Sequence, residues 1–194
     1  MALVPLREKE EIDAADRPVA EAGELAFERL LHTWQAIANR PGLLSVYLPF
    51  VRTLTGPGAL DQRIKELVAI RVAVLNHCPY TASHRCSSAQ AQGLPEHDMV
   101  AVAAGDFSTF PPKLRLALEL TDSVTTDIPA TPLKSDPAGI DPGLRERAAA
   151  EFAPDELVEL LMAIGIWNGL ARFHRVMTFE PDLPAAPQGV VDAL

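Results

Sequence analysis

The chain is poor in cysteine, in positive charge and in long apolar segments, and each shortage excludes a class of protein. Its 194 residues include two cysteines, which are too few for a disulfide framework. A formal net charge of −9 disfavours binding to nucleic acid or to an anionic membrane surface. No apolar run reaches the roughly 20 residues that span a bilayer, and residues 1–16 are acidic where a signal peptide is basic. We therefore expect a soluble, cytoplasmic protein.

Sustained period-two alternation, the mark of a half-buried strand, is also missing, whereas helical spacing of apolar residues recurs along the chain. Hydrophobic residues make up 48% of the sequence, which is enough for a packed core and too many for a disordered chain. We predict an all-α fold with one domain over residues 21–183. A flexible N-terminal arm over residues 1–20 and a loose tail over residues 184–194 would flank it.

Capping residues and prolines mark the predicted helix boundaries. Asp61 is an N-cap signal for a long apolar helix that runs to about Asn76, and Pro79 fits the first position of the next helix. Pro49 should kink or divide the helix in which it lies. Residues 127–143 contain four prolines and form a long loop, either a lid or a surface excursion. The predicted helices are residues 21–39, 42–54, 61–76, 79–92, 95–104, 111–125, 141–151 and 156–178.

The break at residues 76–79 gathers the densest group of proton-handling side chains in the chain. Cys78 falls at a helix start, where the positive end of the helix dipole favours a thiolate. If the two helices around the break form an antiparallel hairpin, Glu66 lies opposite about residue 88, one turn from His84. We therefore predict that a carboxylate, an imidazole and a thiol lie in line. In this arrangement Glu66 orients His84, and His84 takes a proton from Cys78 or from a substrate.

Each of these residues also has a structural interpretation. A buried cysteine such as Cys78 is usually a small core residue, and Glu66, next to Lys65, also fits a solvated helix face. Cys78 and Cys86 would lie about 12 Å apart along one helix, which is beyond the reach of a disulfide. Two histidines and two cysteines near the break suggest zinc, but no paired CxxC or HxxxH spacing supports a site. We predict no metal and no cofactor.

The segment over residues 60–102, LDQRIKELVAIRVAVLNHCPYTASHRCSSAQAQGLPEHDMVAV, resembles the carboxymuconolactone decarboxylase and alkylhydroperoxidase D-like family. The family pattern has a glutamate, eleven intervening residues, a CxxC pair and a histidine three or four residues later. Glu66, Cys78 and His84 stand at the corresponding positions. The resemblance extends over roughly residues 25–183 and is more specific for the fold than for the reaction.

This resemblance implies the alkylhydroperoxidase D-like helical fold in an oligomer, commonly a trimer or hexamer. It also implies either a two-cysteine peroxidase or an acid/base decarboxylase that acts on a small lactone acid. The second cysteine is Thr81 here and cannot form the disulfide, so the two-cysteine cycle is disfavoured. The Glu-Trp pair of the decarboxylase branch is Thr81-Ala82. Arg85 replaces a frequent histidine, and it fits either a bidentate partner for a substrate carboxylate or a solvated side chain.

We therefore predict a cofactor-free, lyase-like enzyme that decarboxylates or isomerises a small organic acid, lactone or carbonyl compound. Its predicted catalytic residues are Glu66, Cys78 and His84, and its predicted substrate-binding residues are Tyr80, Thr81 and Arg85, the two hydroxyls stabilising an oxyanion. Two alternatives stay open: a single-cysteine thiol peroxidase or redox sensor built on Cys78, and a non-catalytic oligomeric binding protein. The predicted partners are a small-molecule substrate and further copies of the chain, without nucleic acid or membrane.

Overall fold

The computed structural model describes residues 2–126 and 139–194, and these residues form ten α-helices, a 3₁₀ turn at Lys9–Glu11 and no strand. The prediction of an all-α fold is thereby confirmed. No helix within these ranges is long and apolar enough to cross a membrane. The helices are α1 (Arg17–Phe27), α2 (His32–Ile37), α3 (Leu44–Thr55), α4 (Gln62–Leu75), α5 (Pro79–Ala91), α6 (Glu96–Ala104), α7 (Pro112–Thr126), α8 (Pro142–Glu151), α9 (Pro154–Met177) and α10 (Gln188–Val191).

The fold is built around α4, which contacts α5, α6, α7 and α9. Leu67 and Val72 are completely buried, as expected for a helix that is apolar on most of its circumference. Asp61 caps the helix, because its side chain accepts hydrogen bonds from the backbone of the first turn. Lys65 is also buried, and its Nζ lies 2.7 Å from Oε1 of Glu159 on α9. This ion pair joins α4 to α9.

The predicted break between α4 and α5 is present. His77 turns the chain with a φ of 49°. Cys78 is the N-cap of α5, and Pro79 occupies the first helical position. Ala82 and Ala89 on α5 are completely buried, and these small side chains allow α5 to approach α4 closely. The hairpin therefore follows from the local sequence.

The single helix predicted over residues 21–39 is wrong, because the chain forms α1 and α2 with a turn at Glu28, whose φ is 56°. The turn folds the Trp34 ring onto Gly23, so closely that a Cβ at residue 23 would overlap the ring. On one straight helix these two residues would lie about 16 Å apart. Tertiary packing of the indole therefore overrides the helical spacing. Pro49 lies inside α3 and does not divide it.

Both ends of the chain are packed, although the sequence predicted a loose arm and a loose tail. Ile12 is 1% exposed, and Asp16 caps the start of α3 through two hydrogen bonds of 2.8 Å. Val190 of α10 is completely buried, and α10 packs against α6. Each end therefore contributes apolar side chains to the interior. Of the predicted lid or surface loop, residues 127–138 lie outside the described residues.

Candidate active site

A cavity of about 120 Å³ lies where α1, α2 and α3 meet α5 and α9. Its wall is mainly apolar and aromatic, with Trp34, Tyr47 and Trp167 among the lining side chains. The polar and charged side chains that reach it include Thr33, Arg52, Thr81, His84, Arg85 and His174. An apolar cavity with a few convergent polar groups is the usual form of a small-molecule site.

His84, on α5, is paired with Asp182. Its Nε2 lies within hydrogen-bonding distance of Asp182 Oδ1, and both side chains are buried. Burial lowers the pKa of His84, and the hydrogen bond to Asp182 opposes that shift. Burial alone would raise the pKa of Asp182, but hydrogen bonds from the imidazole, a backbone N–H and a phenol hold that pKa below its usual value. At neutral pH a neutral imidazole therefore donates Nε2–H to a carboxylate, and the lone pair is on Nδ1.

Glu66 contacts α5 about one turn beyond this pair, towards the C-terminal end of the helix. Its Oε1 accepts hydrogen bonds from Gln62 (3.2 Å), Ser88 (3.0 Å) and Gln92 (2.7 Å). Its Oε2 lies 3.6 Å from Nη1 of Arg85 and has no hydrogen-bond partner among the described residues. The predicted level of Glu66, opposite residue 88, is confirmed. The predicted contact with His84 is wrong, because Asp182 occupies that place.

Arg85 is a buried arginine at the cavity. Its guanidinium carbon lies 4.4 Å from the centroid of the Trp167 ring, and its side chain is 13% exposed. The interpretation as a solvated side chain is therefore wrong. Its Nε is buried without a hydrogen-bond partner in the described ranges, and the Glu66 carboxylate is too far away to form a hydrogen bond. A guanidinium with unused donors is suited to an anionic group.

Cys78 is absent from the wall of this cavity. It is 1% exposed, its Sγ lies 3.1 Å from Thr81 Oγ1, and it borders a second hollow of about 330 Å³ near the start of α5. The thiol and the imidazole of His84 therefore face different spaces, contrary to the predicted shared hollow. Cys78 and Cys86 are both free, as their spacing predicted. Within residues 2–126 and 139–194, no group of three or more His, Cys, Asp or Glu side chains could hold a metal ion.

Tyr80 contacts Asp182. Its hydroxyl donates a hydrogen bond of 2.9 Å to Asp182 Oδ2, and its ring stacks on His84 at a centroid distance of 4.2 Å. Burial raises the pKa of Tyr80 above its usual value, so the phenol keeps its proton and remains a donor. Of the two hydroxyls predicted to stabilise an oxyanion, Thr81 lines the cavity and Tyr80 does not.

Sequence reasoning missed three residues of this site, namely Thr33 on α2, His174 on α9 and Asp182 beyond α9. Nδ1 of His174 lies 2.9 Å from Thr81 Oγ1, and its Nε2 lies 3.0 Å from Thr33 Oγ1. Burial lowers the pKa of His174 to about 3, so this imidazole is neutral. Asp182 is 98 residues from His84 in the sequence. No local spacing connects residues so far apart.

Known proteins share this fold and part of the sequence. Residues 41–123 match the model of the carboxymuconolactone decarboxylase family. The uncharacterized protein YnjA of Escherichia coli K12 is 28% identical over 144 residues, which cover 74% of this chain and 71% of that protein. An uncharacterized peroxidase-related protein from Silicibacter sp. TM1040 superimposes with a TM-score of 0.75 at 16% identity, covering 96% of this chain and 94% of that one.

A second solved structure is the debrominase Bmp8, as a cysteine-to-alanine variant in complex with 2,3,4-tribromopyrrole. It superimposes with a TM-score of 0.77 at 17% identity, covering 99% of this chain and 98% of that one. At such identities the structures show a common fold. The segment matched by the family model contains Glu66, Cys78 and His84, the residues on which the resemblance in sequence rests. Residues 41–123 are therefore similar to the carboxymuconolactone decarboxylase family, and the chain shares its fold with alkylhydroperoxidase D-like and peroxidase-related proteins.

Proposed function

We propose that the chain is a cofactor-free enzyme that moves a proton on a small organic acid, lactone or carbonyl compound, in a decarboxylation or isomerisation. The observation that carries this proposal is His84, whose imidazole lines the cavity and pairs with the buried Asp182 carboxylate. A histidine held in this way presents a basic Nδ1. The similarity of residues 41–123 to the carboxymuconolactone decarboxylase family supports the reaction class, because that resemblance implies acid/base chemistry on a small lactone acid in one branch of the family.

The size and lining of the cavity narrow the substrate class. Its volume of about 120 Å³ is close to that of a cavity of roughly 150 Å³ that holds one benzene in an engineered protein. The rings of Trp34, Tyr47 and Trp167 favour a flat body. We therefore infer a planar ring or conjugated chain of on the order of six non-hydrogen atoms.

Arg85 is the proposed anchor for the acidic group of the substrate. Its unused donors suit a carboxylate or an enolate oxygen, and its contact with Trp167 fixes the plane of the guanidinium. Arg52, an exposed residue on the same wall, adds a second positive charge. Because the cavity holds one small molecule, an oxygen bound by Arg85 brings the adjacent carbon close to His84.

The proposed isomerisation begins when Nδ1 of His84 removes a proton from the carbon next to a carbonyl group. The electron pair moves onto the carbonyl oxygen as an enolate, which Arg85 stabilises, and the proton then returns to a different carbon. In a decarboxylation, the bond to the carboxylate breaks, carbon dioxide leaves, and the electron pair moves onto the carbonyl oxygen as an enolate that Arg85 stabilises. A proton that Nδ1 of His84 takes up from water is then delivered to the carbon that has lost the carboxylate. General acid/base groups of this kind contribute on the order of 10² to 10⁴ in rate.

Deuterium exchange tests the proposal before the physiological substrate is identified. Unsaturated lactone acids and β-keto acids of up to about nine non-hydrogen atoms would be incubated with the protein in D₂O and followed by proton NMR and by release of carbon dioxide. Wild type should act on at least one compound, and His84→Gln should lose a factor of about 10² or more. The matched control is His97→Gln, because His97 is 82% exposed. Wild-type inactivity towards the whole panel, or full activity of His84→Gln, contradicts the proposal.

The second candidate function is a single-cysteine thiol peroxidase or redox sensor, favoured by the Cys78–Thr81 contact of 3.1 Å beside the second hollow. The Cys78 thiolate would take one oxygen from a peroxide, the alcohol or water would leave, and an external thiol would reduce the sulfenic acid. We rank it second because Cys78 is 1% exposed. Trapping of a sulfenic acid at Cys78 under mild peroxide would reverse the ranking. Cys86 is the internal control, because burial raises its pKa to about 12.

Self-association is part of the same proposal. The solvent face of α9 exposes Val158 (63%), Leu161 (40%) and Met162 (44%). Further along that helix, Gly165 and Gly169 have open space where a Cβ would lie. An exposed apolar face beside small residues suits packing against a second copy of the chain. Light scattering should report a trimer or hexamer for wild type and a smaller particle for Met162→Glu, whereas a monomeric wild type contradicts the proposal.

A further inference from the structure

We propose that a buried chain of hydrogen bonds, beginning at a thiol and ending at Asp182, positions His84 as a base. The inference rests on the proposed function of His84 and gives Cys78 a different role from the one predicted, that of a remote positioning residue. The members of the chain, in order, are Cys78, Thr81, His174, Thr33, Tyr80, Asp182 and His84.

The first half of the chain links α5 to α9 and α2. Cys78 Sγ lies 3.1 Å from Thr81 Oγ1, and Thr81 Oγ1 lies 2.9 Å from Nδ1 of His174. Nε2 of His174 lies 3.0 Å from Thr33 Oγ1. All four residues are at most 4% exposed.

The second half leads to the carboxylate. Thr33 Oγ1 and the Thr33 backbone N–H both lie 3.2 Å from the Tyr80 hydroxyl oxygen. The Tyr80 hydroxyl lies 2.9 Å from Asp182 Oδ2, and Oδ1 of the same carboxylate faces Nε2 of His84. The backbone N–H of His32 donates a further hydrogen bond of 2.7 Å to Asp182 Oδ2.

The donor at each link follows from the one before, starting at the carboxylate. An ionised carboxylate only accepts, so Tyr80 uses its single proton on Asp182, and its oxygen must accept from the hydroxyl of Thr33. Because Thr33 donates its only hydroxyl proton to Tyr80, its Oγ1 can only accept from His174. Nε2 of His174 therefore carries a proton. A neutral His174 has no second proton, so its Nδ1 accepts from Thr81, and Thr81 in turn accepts from the thiol of Cys78.

Every donor in the chain therefore points towards Asp182. The carboxylate is held on Oδ2 by Tyr80 and a backbone N–H, and Oδ1 is left for the imidazole of His84. This arrangement fixes the Nε2–H tautomer of His84 and leaves its Nδ1 lone pair free for the substrate. Hydrogen bonds that share groups polarise one another, so a change at one link alters the next.

A purely structural role makes a different prediction. Buried polar groups need partners whatever their function, and loss of a partner then lowers stability without a graded effect on His84. A positioning role instead predicts that loss of a donor to Asp182 leaves the carboxylate with more negative charge. Protonated His84 is then favoured, and the effect decreases with the number of links from Asp182.

The groups that face His84 from each neighbouring element enter this prediction. Asp182 favours the protonated imidazole, whereas Arg85 and His32, when charged, oppose it. Tyr80 stacks on the His84 ring, and His174 contacts Tyr80 in a T-shaped arrangement with a centroid distance of 4.7 Å. Of these neighbours, the variants below alter Tyr80 alone; Thr33 and Cys78 act on His84 through the chain.

The test is a titration of the full-length protein, labelled with ¹⁵N in its histidines and followed by NMR without a substrate. Wild-type His84 and His174 should both carry their proton on Nε2 at neutral pH. Tyr80→Phe should raise the ratio of protonated to neutral His84 at a given pH by roughly two- to tenfold. Thr33→Val should raise it less, Cys78→Ala least, and Thr33→Ser should restore the wild-type titration.

The matched control is Thr121→Val. It removes the hydroxyl of a completely buried threonine on α7 that is not a member of the hydrogen-bond chain. It should leave the titration of His84 unchanged. A proton on Nδ1 of His84, or a Tyr80→Phe titration equal to that of Thr121→Val, overturns the proposal. NMR reports the protonation of the imidazole directly and without a substrate. The test of the hydrogen-bond chain is therefore independent of the test of the proposed catalysis, which measures turnover by His84→Gln.

Discussion

Glu66 and Asp182 are two buried carboxylates that contact α5, and they differ in where their hydrogen-bond partners lie in the sequence. Glu66 is held by side chains of α4 and α5, all within one hairpin. Asp182 comes from beyond α9 and is held by α5 and by the backbone at the start of α2. The carboxylate that pairs with the imidazole is the distant one, and the local carboxylate faces Arg85.

Sequence proximity predicted that Glu66 lies beside residue 88 of α5, but it did not predict the partner of His84. A carboxylate acts on a histidine only if it lies within hydrogen-bonding distance, and a difference of one helical turn decides that. Glu66 accepts a hydrogen bond from Ser88, whereas His84, one turn earlier on α5, pairs with Asp182.

Asp182→Asn should have the largest effect, because it removes the charge that fixes the tautomer of His84. We expect turnover to fall by on the order of 10² to 10⁴ with little change in KM. The measurement is kcat and KM on the first compound that wild type turns over. Asp106→Asn is the control, because Asp106 is exposed and does not line the cavity. Retention of wild-type kcat in Asp182→Asn would show that this carboxylate is dispensable.

Gly23→Ala tests the long-range packing that builds the cavity wall. The new Cβ overlaps the Trp34 ring, so we expect a loss of about 1–3 kcal/mol in the free energy of unfolding. Denaturant titration measures it. Gly165→Ala has open space within a single copy of the chain, so in the Met162→Glu background, where self-association is removed, it should be neutral or stabilise by up to about 1 kcal/mol. Equal effects of the two substitutions would contradict the packing argument.

The pH dependence of stability separates the two regions, since Glu66 has no histidine among its partners. The pKa of His174 falls from 6.5 to about 3 on folding, so the unfolded chain binds more protons between these values. Stability should therefore fall with decreasing pH, with a His174 contribution of about 1.4 kcal/mol per pH unit. The lowered pKa of Asp182 acts in the same direction once the pH falls below the ordinary aspartate pKa of 3.8. Denaturant titrations at several pH values should give a shallower slope for His174→Gln and an unchanged slope for His97→Gln.

Glu66→Gln should have the smallest effect on turnover. The amide keeps an acceptor for the neighbours of Oε1 and leaves the Asp182–His84 pair intact, so kcat should change by less than about tenfold. Arg85 loses a nearby negative charge, so KM for an anionic substrate should fall or stay the same. A loss in kcat as large as that of Asp182→Asn would reverse the roles of the two carboxylates.

The sequence predicted what is local and missed what depends on tertiary contacts. Asp61, Cys78 and Pro79 mark helix ends through backbone chemistry that acts within a few residues, and the structure confirms them. The break at Glu28 follows from the packing of Trp34 on Gly23, which spacing along the chain does not reveal. Asp182 is missed for the same reason, because its partners lie on other helices.

The position of Asp182 beyond α9 has a consequence for biosynthesis. A ribosome releases the chain from its N-terminus, so α4 and α5 emerge and can pair long before residue 182 exists. During that interval the imidazole on α5 has no carboxylate partner and the donors beneath it have no common acceptor. The pair of Asp182 and His84 is therefore completed only when the final segment folds back, and nascent or prematurely terminated chains possess the hairpin without this pair.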